Sequence, residues 1–269
     1  MTDDPGAGNP ERAGTGRATV AAFSGLAAAL ALGVYANAWL PEEIPDSGWV
    51  AVYLAGSLAP VIVALMVANR IPLRKVLAEL GLDRPARVGL GWALLLTAPM
   101  VIGFAVMGRG VFGDADGWGE VTRRPWLFLK SWAGAGLVEE VLFRGFLYRQ
   151  LVVRGGWGSG RAMVLCGVIF GALHLPSVWG EPPGQMAGTV AVTAIGGAAF
   201  CWLLKEWRWN LWFLVGWHAL VNLWWTLGQA GGAVGEGSAN LLRIAIIVLT
   251  FALTAQRDRL PSNWLGDRD

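Results

Sequence analysis

The sequence predicts an all-α polytopic membrane protein of about eight transmembrane helices. Of its 269 residues, 55% are hydrophobic and only 15% are charged, whereas soluble domains carry about 25% charged residues. Several apolar stretches approach the roughly 20 residues that a helix needs to cross a bilayer. Many of the 16 tryptophans lie near the ends of these stretches, where aromatic belts form at the two membrane interfaces.

The predicted spans follow one another with short polar loops between them. They cover residues 18–40, 48–68, 88–108, 125–151, 161–178, 186–204, 209–228 and 239–255. The fourth carries charged residues and the fifth is short. Residues 1–17, rich in Gly, Pro and charge, are predicted to be a disordered cytoplasmic N-terminus. Residues 18–256 form one predicted membrane domain, and residues 257–269 a cytoplasmic tail.

The basic residues indicate the orientation of the spans, since Lys and Arg concentrate in cytoplasmic loops. With eight spans and both termini in the cytoplasm, the outer loops hold only Arg109, Arg123 and Arg124. The inner segments then hold Arg12, Arg17, Arg70, Arg74, Lys75, Arg84, Arg87, Arg149, Arg154, Arg161, Lys205, Arg208, Arg257, Arg259 and Arg268. We therefore expect a multi-pass protein of the plasma membrane with both termini inside.

The sequence does not favour a signal peptide, nucleic-acid binding or cysteine chemistry. Residues 36–38 resemble a signal-peptide cleavage site, but the preceding apolar run is longer than the roughly 7–15 residues of a signal core, so a retained first helix is expected. No basic soluble face is available for nucleic acid. Cys166 and Cys201 both fall within predicted spans, so neither a disulfide framework nor a cysteine metal site is expected.

Ionisable residues inside the predicted spans are the candidate functional residues, because such residues are costly in a membrane and are retained for a task. The chain has two histidines, His174 and His218, and both lie in apolar stretches. A carboxylate pair, Glu139 and Glu140, lies in another, with Arg144 four residues beyond. Three such places in one membrane chain indicate one intramembrane active site.

Helical geometry puts these residues at a similar depth. At about 1.5 Å per residue, Glu139 lies on the order of 15 Å from the cytoplasmic Arg149. By the same measure His218 lies roughly 15 Å from Arg208, and His174 about 20 Å from Arg161. The three sets of polar groups therefore form one layer nearer the cytoplasmic side.

Spacing within each helix adds pairs of neighbours. His218 and Asn222 are four residues apart and share a face, and so do Glu140 and Arg144, at the spacing of an intrahelical ion pair. That pair would leave Glu139 for another task. Each feature also has a structural explanation: a single membrane histidine can be an interhelical hydrogen-bond partner, and the Glu140–Arg144 pair can simply neutralise two charges.

Three motifs carry a resemblance to a known family. They are Glu139-Glu140-Val141-Leu142-Phe143-Arg144, Phe170-Gly171-Ala172-Leu173-His174 and His218-Ala219-Leu220-Val221-Asn222. They resemble, in order, the EExxxR, FxxxH and HxxxN motifs of the CPBP intramembrane proteases, which include CAAX prenyl endopeptidases and bacteriocin-processing or immunity (Abi) proteins. The resemblance implies an eight-helix fold whose site opens toward the cytoplasm.

The resemblance also implies roles for single residues. Glu139 matches the catalytic glutamate and His174 the histidine that helps to hold the attacking water. His218 and Asn222 match the pair that contacts the scissile carbonyl as it becomes an oxyanion, while Glu140 and Arg144 match supporting positions. No cofactor is then required. A zinc ion is the alternative, with Glu139, His174 and His218 as its ligands, but the HExxH helix of common zinc proteases is absent.

The predicted function is therefore an intramembrane endopeptidase that hydrolyses a peptide bond near the cytoplasmic face by glutamate-activated water. Its partners would be the lipid bilayer and a membrane-bound protein or peptide substrate, either prenylated at a CAAX tail or without a lipid. Two alternatives remain at this point. A proton-coupled transporter or proton relay also places Glu and His in helices, and a non-catalytic immunity or binding protein could use the same scaffold.

Overall fold

The computed structural model describes residues 10–35, 46–106, 132–229 and 237–259. These residues are helical or lie in turns, and no strand occurs among them. The α-helices are α1 (Pro10–Ala29), α2 (Asp46–Val63), α3 (Leu73–Leu80), α4 (Ala86–Val106), α5 (Ser159–Ala172), α6 (Pro183–Glu206), α7 (Leu211–Gln229) and α8 (Gly237–Ala255). Wider π-helical turns at Leu30–Val34 and Ala64–Ala68 extend α1 and α2.

Between α4 and α5, residues 132–154 form a helical run built largely of π-helical turns. We name its parts π1 (Trp132–Glu139), π2 (Val141–Tyr148) and π3 (Gln150–Arg154). In such turns each N–H bonds five residues back instead of four, and they occur frequently at functional sites. The two glutamates and the arginine of the first motif, Glu139, Glu140 and Arg144, lie in this run.

The predicted membrane helices are present as helices. Each predicted span coincides with one helical run over most of its described residues. By length and composition, four of the described helices can cross a bilayer: Gly14–Val34, Gly48–Ala68, Ala86–Val106 and Pro183–Glu206. Two shorter helices, Ser159–Ala172 and Asn240–Ala255, are also apolar. The regular secondary structure of the described residues is thus all helical, as expected of a helical membrane protein.

Two boundaries differ from the sequence prediction. Helix α1 begins at Pro10, ahead of the predicted start at residue 18, because Pro is well tolerated in the first turn of a helix. Disorder was predicted for residues 1–17, but residues 10–17 are helical; residues 1–9 lie outside the described residues, as does the end of the tail at 260–269. Helix α3 lies where only a loop was predicted. Its buried Val76 and Leu80 are four residues apart and form one apolar face.

The described helices pack into two compact units. Unit one comprises residues 1–43, 51–80 and 141–202, and unit two comprises residues 44–50, 81–140 and 203–269. In unit one, α1 packs against π2, π3 and the extension of α2, while π2 also contacts α3 and α5. In unit two, α4 packs against α7 and α8, and α7 also packs against π1.

Tryptophan hydrogen bonds fix the rotation of α7 within unit two. The indole N–H of Trp217 donates to the hydroxyl of Thr250 at 3.0 Å, and that of Trp224 donates to Thr97 at 3.2 Å. Both pairs are buried, so each bond satisfies groups that would be costly to leave unpaired. Since adjacent helical residues are about 100° apart, this setting leaves His218 on another face of α7.

Small residues bring α5 and α6 close together within unit one. A Cβ atom added to Gly171 would lie 2.7 Å from the Cβ atom of Ala194, and one added to Gly167 would lie 3.0 Å from that of Ala198. Only glycine permits such an approach. The close contact places Gly197 and Phe200 of α6 beside Phe170 of α5 and beside π2.

Candidate active site

A close contact between two motif residues joins Glu140 to His218 in unit two. Nδ1 of His218 lies 2.7 Å from Oε1 of Glu140, and the Glu140 side chain is fully buried. An ionised carboxylate can only accept hydrogen bonds, so Nδ1 is the donor when Glu140 is charged. The other ring nitrogen, Nε2, is then directed away from Glu140.

A glycine allows this contact to form. Gly136 lies four residues before Glu140, in π1, and faces Ala219, the neighbour of His218 in α7. A Cβ atom at Gly136 would lie 2.7 Å from the Cβ atom of Ala219 and 3.0 Å from the carbonyl oxygen of Val215. The backbones of π1 and α7 therefore approach closely at this point.

The two remaining unit-two residues of the motifs flank this pair. Glu139 is the last residue of π1 and is half-buried, as are His218 and Asn222. Asn222 lies one turn beyond His218 in α7, and its carbonyl oxygen accepts a hydrogen bond from Thr226 at 2.9 Å. This bond uses the backbone of Asn222, so it leaves the donors of the side-chain amide to other partners.

His174 occupies a different environment, in unit one, just after the end of α5. Its Nδ1 lies 2.8 Å from the carbonyl oxygen of Phe170. A carbonyl oxygen can only accept, so Nδ1 carries the proton. In the neutral ring Nε2 is then an acceptor, which suits it to hold a water molecule. The Phe170 ring also packs against the imidazole, with ring centroids 4.6 Å apart.

Arg144 is almost fully buried in unit one, with 1% of its surface exposed. Its guanidinium carbon lies 4.3 Å from the ring centroid of Phe170 and 5.0 Å from that of Phe200. One of its amino groups donates to the carbonyl oxygen of Gly197 at 3.5 Å. Stacking on aromatic faces is worth about 2 kcal/mol or more for a desolvated cation, so these rings help to stabilise the buried charge.

The structure thus places the predicted residues in two sets. Unit two contains Glu139, Glu140, His218 and Asn222, and unit one contains Arg144 and His174. Sequence spacing assigned Glu140 to Arg144, four residues along one helix. The partner of Glu140 given by the geometry is His218, on another helix, which spacing could not show. The Glu140–Arg144 pair stays a prediction.

Phe170 makes contacts in the candidate site that the sequence analysis did not predict. It contributes a carbonyl oxygen to His174, a ring to the same imidazole and a ring to Arg144. The signal was the four-residue spacing in the second motif, which brings the side chain of His174 over the carbonyl of Phe170. Phe200 and Gly197 had no signal in the sequence.

Metal binding is not supported by a ligand cluster in the described part of the chain. Among residues 10–35, 46–106, 132–229 and 237–259, no three His, Cys, Asp or Glu side chains are grouped as a metal ion would require. Cys166 and Cys201 are buried and free.

Comparison with known proteins gives one match. Residues 122–224 match the family model described as "Type II CAAX prenyl endopeptidase Rce1-like". The matched segment contains all three motifs, from Glu139 to Asn222. Neither a curated protein nor a solved structure matches the chain. The resemblance that the motifs predicted is confirmed over this segment, which is similar to the Rce1-like, CPBP family of proteases.

Proposed function

We propose that this protein is an intramembrane endopeptidase that hydrolyses a peptide bond near the cytoplasmic membrane face, with Glu139 activating the attacking water. The observation that carries the proposal is the family match over residues 122–224, because it encloses every catalytic residue that the motifs predict. The Rce1-like family is a family of proteases, so peptide hydrolysis is favoured over proton transport or a purely binding role.

The water-activating step uses Glu139 and His174. Glu139 accepts a proton from water, whose oxygen attacks the carbonyl carbon of the substrate. His174 is suited to hold this water, because the Phe170 carbonyl keeps the proton on Nδ1 and leaves Nε2 to accept. The proton held by Glu139 then passes to the leaving amine as the carbon–nitrogen bond breaks. General base catalysis of this kind contributes about 10²–10⁴-fold.

Stabilisation of the oxyanion uses His218 and Asn222. The side-chain amide of Asn222 and Nε2 of His218 each donate to the oxygen that gains negative charge. For Nε2 to donate while Nδ1 donates to Glu140, the ring must carry two protons, and the Glu140 carboxylate supplies the balancing negative charge. Removing one donor to an oxyanion typically costs about 2.7–4 kcal/mol.

The membrane arrangement belongs to the same proposal. Eight spans form one membrane domain within residues 18–256, the catalytic residues lie inside the membrane, and both termini face the cytoplasm of the plasma membrane. Support comes from the four helices long enough to cross a bilayer and from the distribution of Lys and Arg. The substrate is a membrane-bound protein or peptide, either CAAX-type or a peptide without a lipid, and no cofactor is required.

The proposal is tested by identifying peptides that the protein cuts. Membranes from cells that produce the wild-type chain or Glu139→Gln are compared by proteomics after labelling of new peptide N-termini. The expected result is a set of cleavages present only with the wild type, located near the cytoplasmic face. If both membranes carry the same new N-termini at matched protein levels, Glu139 is not the catalytic base, and if membranes from cells without the chain carry them too, the proposed activity is wrong.

A further inference from the structure

An apolar groove runs between α1 and α2 on the surface of unit one. It has a volume of about 510 Å³ and is lined mostly by small residues, among them Gly25, Ala28, Ala59 and Ala64. A Cβ atom at Gly25 would lie 2.9 Å from that of Ala64, so the helices meet closely at the floor. On the outer side Val63 and Val67 are exposed by 57% and 74%, so the groove faces the bilayer.

A polar cavity continues this groove at the end where α1 begins and α2 ends. It has a volume of about 390 Å³, shares Ala68 with the groove and is lined by Thr15, Arg17, Asn69 and Arg154. All of these residues belong to unit one. The cavity and the groove therefore form one furrow with a basic end and an apolar body, which we call the α1–α2 furrow.

The basic end has a charge that suits a phosphate group. Arg17 is exposed, and the Arg154 guanidinium is held by two hydrogen bonds to Glu79, from Nε at 2.9 Å and from Nη2 at 2.5 Å. These bonds do not use Nη1 of Arg154, which can therefore donate into the cavity. One carboxylate faces two guanidinium groups, so a net positive charge remains. Arginine is well suited to phosphate, which accepts two parallel hydrogen bonds from it.

The length of the apolar body suits a lipid chain. From Ala18 to Leu32 the axis of α1 advances about 21 Å, compared with about 15 Å for half of the roughly 30 Å hydrocarbon core. A ligand that fills the furrow must place an anionic group at one end and a long apolar chain along the rest. An anionic phospholipid has this order of groups, whereas a free phosphate ion would use only the basic end.

We propose that the α1–α2 furrow binds one anionic glycerophospholipid, with its phosphodiester at Arg17 and Arg154 and one acyl chain in the groove. The lipid stabilises unit one, because it bridges α1, the end of α2 and π3 through groups that these elements contribute. Basic residues near an anionic leaflet each contribute about 1 kcal/mol to such binding. The site is separate from the three motifs and does not depend on the proposed protease activity.

The test measures binding of chosen lipids to the full chain purified in detergent. Phosphatidylglycerol, phosphatidylcholine and inorganic phosphate are titrated separately, and bound lipid is counted by native mass spectrometry beside the melting temperature. We expect one phosphatidylglycerol to bind and to raise the melting temperature. Phosphatidylcholine should bind more weakly, and phosphate alone should have no effect. Equal effects of the two lipids, or an equal effect of phosphate, would overturn the proposal.

Two variants locate the site, and each has a matched control. Arg17→Gln removes the exposed cation and should weaken phosphatidylglycerol binding about fivefold, whereas Arg84→Gln, an exposed arginine of another loop, should not. Ala59→Phe fills the groove and should abolish binding, whereas Val192→Phe, at a position of α6 that is 70% exposed, should not. Unchanged binding in both Arg17→Gln and Ala59→Phe would show that the furrow is not the site.

Discussion

The two histidines of this chain present the same nitrogen to different partners. In unit one, Nδ1 of His174 donates to the backbone carbonyl of Phe170 at 2.8 Å. In unit two, Nδ1 of His218 donates to the buried carboxylate of Glu140 at 2.7 Å. The Phe170 carbonyl is an uncharged acceptor, so the His174 ring can stay neutral and its Nε2 can accept a hydrogen bond. In the proposed mechanism, the Glu140 carboxylate would balance a second proton on the His218 ring, so that its Nε2 donates.

In the proposed mechanism, this difference gives the two histidines separate roles. The first is suited to hold water and the second to stabilise an oxyanion. The partner of His174 is a backbone atom, so no substitution of a polar side chain can remove it. The partner of His218 is a side chain, so its role can be changed directly. Each of the following predictions uses this contrast.

The largest effect is expected for Glu139→Gln. In the proposed mechanism Glu139 is the general base and neither histidine takes that role. Loss of its carboxylate should therefore lower turnover about 10²–10⁴-fold. The melting temperature should stay unchanged, because Gln keeps the shape and hydrogen bonding. Cleavage of an identified substrate and thermal unfolding in detergent provide the two readouts. Substantial turnover in the variant would indicate that His174, through Nε2, is itself the base.

Glu140→Gln should have the next largest effect. Its amide oxygen can still accept a hydrogen bond from His218, but the negative charge that balances a doubly protonated ring is lost. We expect turnover to fall about 10²–10³-fold, the cost of one oxyanion donor. Glu181→Gln, at an exposed carboxylate, is the charge-matched control and should keep full turnover. In a double-mutant cycle, Glu140→Gln and His218→Asn should be non-additive. Additive losses would mean that the pair is not coupled.

Phe170→Leu should separate packing from function in unit one. Phe170 and Phe200 both face the Arg144 guanidinium, so Leu at either position should cost about 2 kcal/mol of stability. Phe170 also packs against His174, so Phe170→Leu should lower turnover per folded molecule more than Phe200→Leu does. Thermal unfolding and kcat on the same samples provide the comparison. Equal turnover in the two variants would remove Phe170 from the site.

Gly136→Ala should disturb the Glu140–His218 contact in unit two from the π1 side. The added methyl group would meet the Cβ atom of Ala219 at 2.7 Å, and overpacking of this kind costs about 1–3 kcal/mol. The shift of π1 should also weaken the Glu140–His218 bond and lower turnover. Gly188→Ala is the control, since a Cβ atom there meets nothing within 4 Å. If the two variants match in turnover and melting temperature, the close approach of π1 to α7 is needed for neither stability nor activity.

The smallest effect concerns a carboxylate outside the three motifs. Burial alone would raise the pKa of the Glu79 carboxyl, but the hydrogen bonds and charge of Arg154 outweigh it and hold the pKa below its ordinary value of 4.5. A group with a lowered folded pKa stabilises the protein above its unfolded pKa and loses this contribution as the pH falls through the folded value. The loss below pH 4.5 should be under about 1 kcal/mol. Glu79→Gln should abolish it, and a pH–stability curve identical to the wild type would contradict this.

The sequence predicted the helices better than the contacts. The apolar runs gave the helical segments, because each must bury its backbone groups within itself in a bilayer. The three motifs gave the candidate residues and their family. Helix α3 was missed because it is only eight residues long and includes Arg74 and Lys75. A search for long apolar runs does not find such a segment. The buried face of Val76 and Leu80 was the available signal.

Partners on other helices could not be read from one-dimensional spacing. Glu140 was paired with Arg144 because both lie on one helix, whereas its hydrogen bond to His218 depends on how closely π1 approaches α7. That approach depends on Gly136 and Ala219, whose sizes are visible in the sequence but whose meeting is not. Likewise, the rings around Arg144 come from α5 and α6, which only the packing at Gly171 and Ala194 brings together.

The most direct test of the contrast is nitrogen-15 NMR of the imidazole rings. The chain has only two histidines, so ¹⁵N-histidine labelling of a protein purified without a histidine tag gives two ring systems, assigned by single substitutions. The account predicts a proton on Nδ1 of both rings, and a change on Glu140→Gln in the His218 signals alone. A bare Nδ1 in His218, or a His218 spectrum that Glu140→Gln leaves unchanged, would contradict it.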